Sequence, residues 1–228
     1  MKSIYKILQR VSPFIYPKYS FTIDNLNFNP VLKQFFDANK DCLSFKNRHE
    51  YFTFLSKEII KDNPIDYLEF GVYKGDSINE WVSLNKSSKS RFYGFDTFNG
   101  LREDCGYNLK RGDLNLGGSI PIIMDLRVKF VKGLFEDTLR PFIDSFIRRN
   151  QLIIHIDADL FSSTLYVLFH LDPLFNKGDI LALDGFSTPS EEFKAFYYYK
   201  SVFNRKLKLI AKVPDNGWVS DYVAFTIV

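Results

Sequence analysis

The sequence contains little cysteine and no long apolar segment, and each absence excludes a class of protein. Its 228 residues include two cysteines, Cys42 and Cys105, which are too few for a disulfide framework and form no C-x-x-C pair. We therefore expect the protein to work in a reducing compartment, the cytoplasm. No apolar run reaches the ~18 residues of a membrane-spanning helix, and the N-terminus has neither the apolar core nor the cleavage site of a signal peptide. We expect no transmembrane segment.

An excess of charge of one sign is also missing. The chain carries 30 Lys and Arg against 27 Asp and Glu, a formal net charge of +3, and the basic residues are spread along its length. Proteins that bind nucleic acid usually present a strongly basic face, so no nucleic-acid partner is expected. With 12 Gly and 9 Pro the chain is not of low complexity, and its 46% hydrophobic content suits one domain with its own core.

Residues 1–45 are predicted to form an N-terminal helical arm ahead of a main domain over residues 46–228. Apolar residues at helical spacing predict a short amphipathic helix over residues 2–11, which Pro13 and Pro17 then end. Further helices are predicted to begin near Pro30 and to cover about residues 48–61. A basic amphipathic helix this short would bind a membrane only feebly, so we expect the arm to form a homodimer contact or a lid.

From residue 64 onward, short β-rich runs alternate with helical stretches. Strands are predicted over residues 67–70, 92–95, 128–131, 152–156 and 180–183. Helices are predicted over residues 78–84, 138–147, 163–175 and 191–203. Strands separated by helices indicate βαβ units with right-handed crossovers, and therefore a doubly wound, mostly parallel sheet. Two last strands, residues 207–213 and 222–228, are joined by turn residues 214–217 and predict an antiparallel hairpin that completes a seven-stranded, Rossmann-like α/β fold.

The first candidate site motif follows the first predicted strand, where Glu69 precedes a turn that contains Gly71 and Gly75. In a doubly wound sheet, the carboxyl end of the first strand lies at the ligand crevice. Glycines there allow a ligand to approach the backbone, and Asp76 or Ser77 can cap the next helix, whose free amides suit a carboxylate or phosphate. Glu69 can receive a cationic group. The G-x-x-x-G spacing is neither the dinucleotide fingerprint nor the phosphate loop.

Acidic side chains also follow three other predicted strands. Asp96 ends the second strand, where a carboxylate suits ribose hydroxyls and where a turn or cap aspartate is the alternative. Asp157 and Asp159 follow the fourth strand, and Asp184 ends the fifth. Acids that meet at one sheet edge are metal ligands, or a metal ligand with a general base, although Asp159 could instead cap a helix. His155, in the middle of an apolar strand, is interpreted as a hydrogen-bonded core residue.

With these motifs in this order, residues 64 to about 228 resemble class I S-adenosylmethionine-dependent methyltransferases, and in particular the macrocin O-methyltransferase family. The stretches that carry the resemblance are Glu69–Gly75, Gly94–Leu101, Val131–Leu139, His155–Thr164 and Gly178–Asp184. Five ordered matches are far more specific than any one of them.

The resemblance implies S-adenosylmethionine as the cofactor and assigns roles to individual residues. The turn after Glu69 would hold the methionine end of the cofactor, and Asp96 would hold its ribose. The implied cofactor-binding residues are Glu69, Gly71, Tyr73, Gly75, Ser77, Asp96, Thr97, Phe98 and Gly133. Asp157 would bind a divalent cation such as Mg²⁺, and Asp159 would be the catalytic general base. From its place at the end of the fifth strand, Asp184 is expected to be the second metal ligand.

The resemblance also implies the reaction, an O-methylation of a small hydroxylated acceptor such as a sugar or a sugar-containing metabolite. In one position the chain departs from the family pattern, because two acids usually close the fifth strand and here Gly185 follows Asp184. The missing carboxylate predicts weak or absent metal binding. Residues 102–126, rich in glycine, either shape the acceptor pocket or form a disordered connection.

Two other functions stay open at this point. Asp157 and Asp159 also match the D-x-D motif of metal-dependent glycosyltransferases, although that function leaves the stretch Glu69–Gly75 unexplained. The glycine at position 185 is also compatible with a cofactor-binding module that has no turnover. Binding of S-adenosylhomocysteine rather than a UDP-sugar would favour the methyltransferase.

Overall fold

A mixed sheet of eight strands runs through the middle of the protein, with helices on both faces. The computed structural model describes residues 2–106, 109–214 and 219–228. The strands are β1 Leu43–Ser44, β2 Ile65–Phe70, β3 Arg91–Asp96, β4 Val128–Lys132, β5 Gln151–Ile156, β6 Ile180–Leu183, β7 Leu207–Pro214 and β8 Ser220–Ile227. The helices are α1 Lys2–Ala38, α2 Arg48–Phe54, α3 Asp76–Leu84, α4 Phe135–Ser145, α5 Phe161–Leu171 and α6 Glu192–Val202. A π-helical turn, Leu55–Ile59, continues α2, and a 3₁₀ turn, Asp172–Leu174, follows α5.

The strand order is β1-β7-β8-β6-β5-β2-β3-β4, and β8 runs antiparallel to both of its neighbours. This confirms the predicted doubly wound, mostly parallel sheet with a C-terminal antiparallel pair. An eighth strand is added by β1, in which Leu43 pairs in parallel with Ala211 of β7. Pro214 ends β7, and residues 215–217 of the predicted turn lie outside the described residues.

Two apolar cores lie on opposite faces of the sheet. All six residues of β2 are buried, because β3 and β5 pair with it on either side and helices cover both of its faces. Successive side chains of a strand alternate between faces, so Leu68 and Phe70 belong to one core and Ile65 and Tyr67 to the other. The first core is covered by α1, α4, α5 and α6, and the second by α2 and α3.

The predicted break in the arm is wrong. A single helix, α1, extends over 37 residues through Pro13, Pro17 and Pro30. A proline removes one backbone donor and bends a helix, but it leaves the hydrogen bonds of the neighbouring turns in place. In the second half of α1, Phe28, Leu32 and Phe36 are buried in the first core, and this packing stabilises the helix around Pro30.

The helices of the main domain confirm the predicted alternation, with bounds that differ by a few residues. The helix predicted over residues 163–175 divides into α5 and the 3₁₀ turn, and Pro173, which has no backbone donor, lies at the start of that turn. Within the described ranges, no helix combines the length and the apolar character that crossing a membrane requires.

Candidate active site

A cavity of about 330 Å³ opens at the carboxyl ends of β2, β3 and β5. Its size is that of a small-molecule site, and its place is the ligand crevice of a doubly wound sheet. Six residues that the sequence analysis predicted as site residues line this cavity: Gly71, Tyr73, Asp96, Thr97, Asp157 and Asp159. Apolar side chains, including Leu101, Leu134, Phe135 and Leu160, supply much of the remaining wall.

The turn between β2 and α3 depends on the glycine at position 71. Its φ angle is +90°, and an added Cβ would lie 1.8 Å from the carbonyl oxygen of Asp157. The turn after β2 and the turn after β5 can therefore approach each other only if residue 71 has no side chain. Gly75, also at positive φ, is the N-cap residue before α3 and does not line the cavity.

Asp96 connects the two turns that face the cavity from β2 and β3. Its Oδ2 accepts hydrogen bonds from the amides of Val72, at 2.9 Å, and Tyr73, at 2.8 Å. Its Oδ1 accepts one from the amide of Phe98, at 2.7 Å. A carboxylate offers about four lone-pair positions, so the side chain retains capacity for a ligand hydroxyl. Phe98 itself is buried beneath the turn.

Glu69 lies in the protein interior instead of at the cavity wall. It is fully buried; the hydroxyl of Ser77 donates to its Oε1 at 2.8 Å, and the hydroxyl of Tyr67 donates to its Oε2. The side chains of Glu69 and Ser77 therefore bond to each other and support the turn from below. Gly133, another predicted cofactor residue, donates its amide to the carbonyl of Asp96 and also lies outside the cavity lining.

His155 connects Glu69 to Asp184 through the core. The strand register places His155 beside Glu69, and its Nδ1 lies 2.7 Å from the hydroxyl of Tyr67. Its Nε2 lies 3.1 Å from Oδ1 of Asp184, a distance that suits an ion pair although the angle is not that of a hydrogen bond. Burial would lower the pKa of His155, but Asp184 and Glu69 raise it to about 10. The prediction of a buried, hydrogen-bonded histidine is confirmed.

Four carboxyl groups come together beside the cavity: Asp157, Asp159, Asp184 and Glu192. Burial, with the charge of Asp184 next, raises the pKa of Asp157 well above its usual range. Burial and then Asp184 raise the pKa of Asp159 to about 6. Burial and the charge of Asp157 raise the pKa of Glu192 well above its usual range. Asp159 lines the cavity, and its raised pKa of about 6 brings it closer to the neutral range in which a general base works best.

The acids do not form a metal site. The Asp184 carboxylate is directed at His155 instead of at the cavity, and Gly185 has no side chain to contribute. Within the part of the chain that the structure describes, no three His, Cys, Asp or Glu side chains are spaced to hold a metal ion. This geometry does not support the magnesium prediction for Asp157 and Asp184.

The loop after β3 forms one side of the cavity and is fastened to neighbouring helices. Arg102 pairs with Glu136 in the first turn of α4, and Glu103 accepts a hydrogen bond of 2.5 Å from Ser162 of α5. The Sγ of Cys105 donates to the carbonyl of Asp159 at 3.1 Å. These contacts favour the interpretation of residues 102–126 as a pocket wall, and residues 107–108 lie outside the described part of it.

Two acids at the start of α6 contribute to the site, and the sequence motifs did not single them out. Glu192 accepts hydrogen bonds from the amides of Ala158 and Asp159, and Glu191 accepts one of 2.8 Å from the amide of Phe161. Their signal in the sequence is an acidic pair in the first turn of a predicted helix, which is typical of any helix N-terminus.

Residues 122–221 match the family model described as Macrocin-O-methyltransferase (TylF). No curated protein sequence matches the chain significantly. Among solved structures, the chain is similar to the O-methyltransferase NovP, with 21% identity, 78% of each chain covered and a TM-score of 0.57. It is also similar to the calicheamicin methyltransferase CalS11, with 20% identity, 78% of this chain and 80% of that one covered and a TM-score of 0.55. At these identities the structures show the shared fold.

A third solved structure extends the likeness over nearly the whole chain. This is the O-methyltransferase from Bacillus cereus in complex with S-adenosylhomocysteine, with 17% identity, 98% of this chain and 97% of that one covered and a TM-score of 0.52. The chain therefore has the Rossmann-like fold that these O-methyltransferase structures share, and its family match covers 100 of its 228 residues. Its resemblance to the macrocin O-methyltransferase family is confirmed over residues 122–221, a range that includes Asp157, Asp159 and Asp184.

Proposed function

We propose that the chain transfers a methyl group from S-adenosylmethionine to a hydroxyl of a sugar or a sugar-containing metabolite. The family match over residues 122–221 supports an O-methyltransferase. One of the similar solved structures is described as a TDP-rhamnose 3'-O-methyltransferase, with 21% identity and a TM-score of 0.52, and this supports a sugar acceptor. The cytoplasmic location stays a prediction.

The observation that carries the proposal is a single cavity with Asp96 and Asp159 both in its lining. In our assignment, Asp96 and Thr97 hold the ribose of the cofactor, and the turn that contains Gly71 and Tyr73 holds its methionine end. Glu69, Gly75, Ser77, Phe98 and Gly133 then act indirectly, by supporting these turns. Asp159 faces the acceptor hydroxyl and receives its proton.

S-adenosylmethionine supplies an electrophilic methyl group attached to a positively charged sulfur. In the transfer, a bond forms between the acceptor oxygen and the methyl carbon, the bond from that carbon to sulfur breaks, and the acceptor proton passes to the carboxylate of Asp159. Alignment of the reacting atoms can contribute roughly 7–11 kcal/mol, and a general base about 10²–10⁴ in rate. With a pKa of about 6, the carboxyl group of Asp159 is mostly ionised at pH 7 and can accept a proton.

Incubation with S-adenosylmethionine and a set of acceptors tests the proposal. The set contains nucleotide-activated hexoses, simple glycosides and, as non-sugar acceptors, phenols, and mass spectrometry follows methylated product and S-adenosylhomocysteine. We expect methylation of a sugar hydroxyl, and we expect Asp159→Asn to lower turnover by about 100-fold or more while the affinity for S-adenosylhomocysteine is nearly kept. Methylation of phenols alone would contradict the sugar assignment.

The same assay tests the remaining alternatives. A UDP-sugar in place of S-adenosylmethionine tests the glycosyltransferase function that the D-x-D pattern of Asp157 and Asp159 allowed. Addition of EDTA tests the magnesium prediction, and turnover that persists in EDTA would rule out a required divalent ion. Cofactor binding without any product from the acceptor set would favour the non-catalytic module.

A further inference from the structure

Asp159 has a backbone conformation that its neighbours must hold in place. Its φ angle is +59°, in the left-handed region of backbone conformation that residues other than glycine rarely adopt. Aspartate tolerates this region better than most residues, but the conformation remains unfavourable unless the surroundings stabilise it. The direction of the Asp159 side chain therefore depends on groups that fix the backbone around it.

Two side chains from different elements hold this backbone. The Oε1 of Glu192, at the start of α6, accepts hydrogen bonds from the amide of Ala158 at 3.0 Å and from the amide of Asp159 at 3.3 Å. On the other side, the thiol of Cys105 in the loop after β3 donates to the carbonyl of Asp159 at 3.1 Å. The backbone amide and the backbone carbonyl of Asp159 are thus both hydrogen-bonded to side chains.

The glycine at position 185 makes room for Glu192. A Cβ at this position would lie 3.0 Å from Oε2 of Glu192, and Glu192 is 1% exposed, so its carboxyl group has little space to move away. The Oε2 atom has no hydrogen-bond partner among the described residues. A side chain at position 185 would therefore occupy the space that the buried carboxyl group of Glu192 fills in this chain.

We propose that Glu192 is a positioning residue for methyl transfer, which fixes the turn Asp157–Asp159 so that the Asp159 carboxyl group faces the acceptor. This rests on the proposed function of Asp159 as general base. Glu192 acts through the two amides that it binds and does not touch the acceptor. The absence of a side chain at Gly185 belongs to the same arrangement.

Substitution of Glu192 by glutamine and by alanine separates this role from general stability. Glutamine keeps the shape of the side chain and an oxygen that can accept from both amides, whereas alanine removes both hydrogen bonds. Amide hydrogen exchange at Ala158 and Asp159 is measured by NMR on both variants, well below the melting temperature of the less stable one. We expect Glu192→Ala to lose about tenfold or more of the exchange protection at both amides, and Glu192→Gln to keep most of it.

Kinetics with the acceptor found in the sugar set give the second measurement. We expect Glu192→Ala to lower kcat by about tenfold or more with a much smaller change in the KM for S-adenosylmethionine, and Glu192→Gln to recover most of the loss. Unchanged exchange protection in Glu192→Ala would overturn the proposal, as would equal losses of kcat in both variants. The exchange measurement needs no acceptor, so it tests Glu192 even if no sugar is methylated, an outcome that would count against the proposed function instead.

Discussion

The carboxylate of Asp96 holds two turns of the cavity in one arrangement. Three backbone amides, from Val72, Tyr73 and Phe98, donate to it, and Tyr73 and Phe98 both have positive φ angles. Hydrogen bonds to a charged acceptor are stronger than those between neutral groups, so this one side chain can stabilise two unfavourable backbone conformations. Asp96 thus has a structural role in addition to the predicted contact with ribose.

Removal of this carboxylate should weaken cofactor binding. We expect Asp96→Ala to reduce the affinity for S-adenosylhomocysteine by about 10–100-fold, equivalent to ~1–3 kcal/mol, because the amides of both turns lose their acceptor. Asp96→Asn, which keeps one carbonyl oxygen, should lose less. Isothermal titration calorimetry measures the affinities, and circular dichroism checks the fold. An unchanged affinity in a folded Asp96→Ala protein would remove Asp96 from the cofactor site.

The strand ends made part of this site predictable from the sequence. Asp96, Asp157 and Asp159 follow parallel strands, and the carboxyl ends of such strands meet at one sheet edge, so their proximity follows from the strand pattern. The buried position of Glu69 and the inward reach of Glu192 did not follow from it. Both depend on how a side chain packs against a distant segment, which residue order alone does not specify.

The residue just before α6, Glu191, stabilises the first turn of α5. Leu160 precedes α5 and cannot cap it with a side chain, and the amide of Phe161 instead donates to Oε2 of Glu191 at 2.8 Å. Negative charge near a helix N-terminus is favourable. Burial nevertheless raises the pKa of Glu191 from 4.5 to about 7, although the Phe161 amide and Lys194 act in the opposite direction.

This pKa makes the stability of the protein depend on pH in a defined direction. An acid whose pKa is higher in the folded state binds more protons there, so its contribution to stability falls as pH rises from about 4.5 to about 7 and is constant above that range. We expect the wild type to lose stability over this range relative to Glu191→Gln, which keeps an oxygen for the Phe161 amide. Urea unfolding of both proteins at several pH values measures the difference, in which the other acids largely cancel. A difference that is constant with pH, or that changes in favour of the wild type, would contradict the raised pKa.

The elements that were predicted correctly are recognisable from local sequence, whereas the wrongly predicted helix depends on tertiary contacts. The parallel strands and α3 to α6 stand out in the sequence as β-rich runs that alternate with helical stretches, so their type and their order along the chain could be predicted. The second half of α1, which includes Pro30, packs on α6, where Phe28 contacts the rings of Phe193 and Tyr197. Local rules for proline cannot include such a contact.

The predicted N-terminal arm divides into two parts. From Phe28 onward, α1 belongs to the first core, and Asp24 forms an ion pair of 2.6 Å with Lys194 of α6. Two parallel-strand residues of β1 then add to the edge of the sheet. The second part of the arm is therefore part of the folded domain. The prediction that the arm takes part in association now applies only to the residues before it.

A pair of leucines in α1 tests this division. Leu32 is fully buried in the first core, whereas Leu26 is 69% exposed. We expect Leu32→Ala to lower the free energy of unfolding by about 2–4 kcal/mol, because it removes buried methyl groups and leaves a cavity. Leu26→Ala should change it by less than about 0.5 kcal/mol. Urea denaturation at constant pH provides both values, and equal effects would mean that the second half of α1 does not belong to the core.

Deletion of residues 1–20 then separates folding from association. The described core of α1 begins at Phe28, so we expect the shortened protein to keep its strands and most of its free energy of unfolding. If the first part of α1 forms a homodimer contact or a lid, as its amphipathic sequence predicts, the deletion should lower the molar mass in light scattering or change the kcat of methyl transfer. Binding of S-adenosylhomocysteine, whose proposed contacts begin at Gly71, serves as the control and should be retained. A deletion that leaves molar mass, lipid binding and turnover all unchanged would show that these residues have no part in association or acceptor capping, and that methyl transfer is complete in the domain built around β2 to β8.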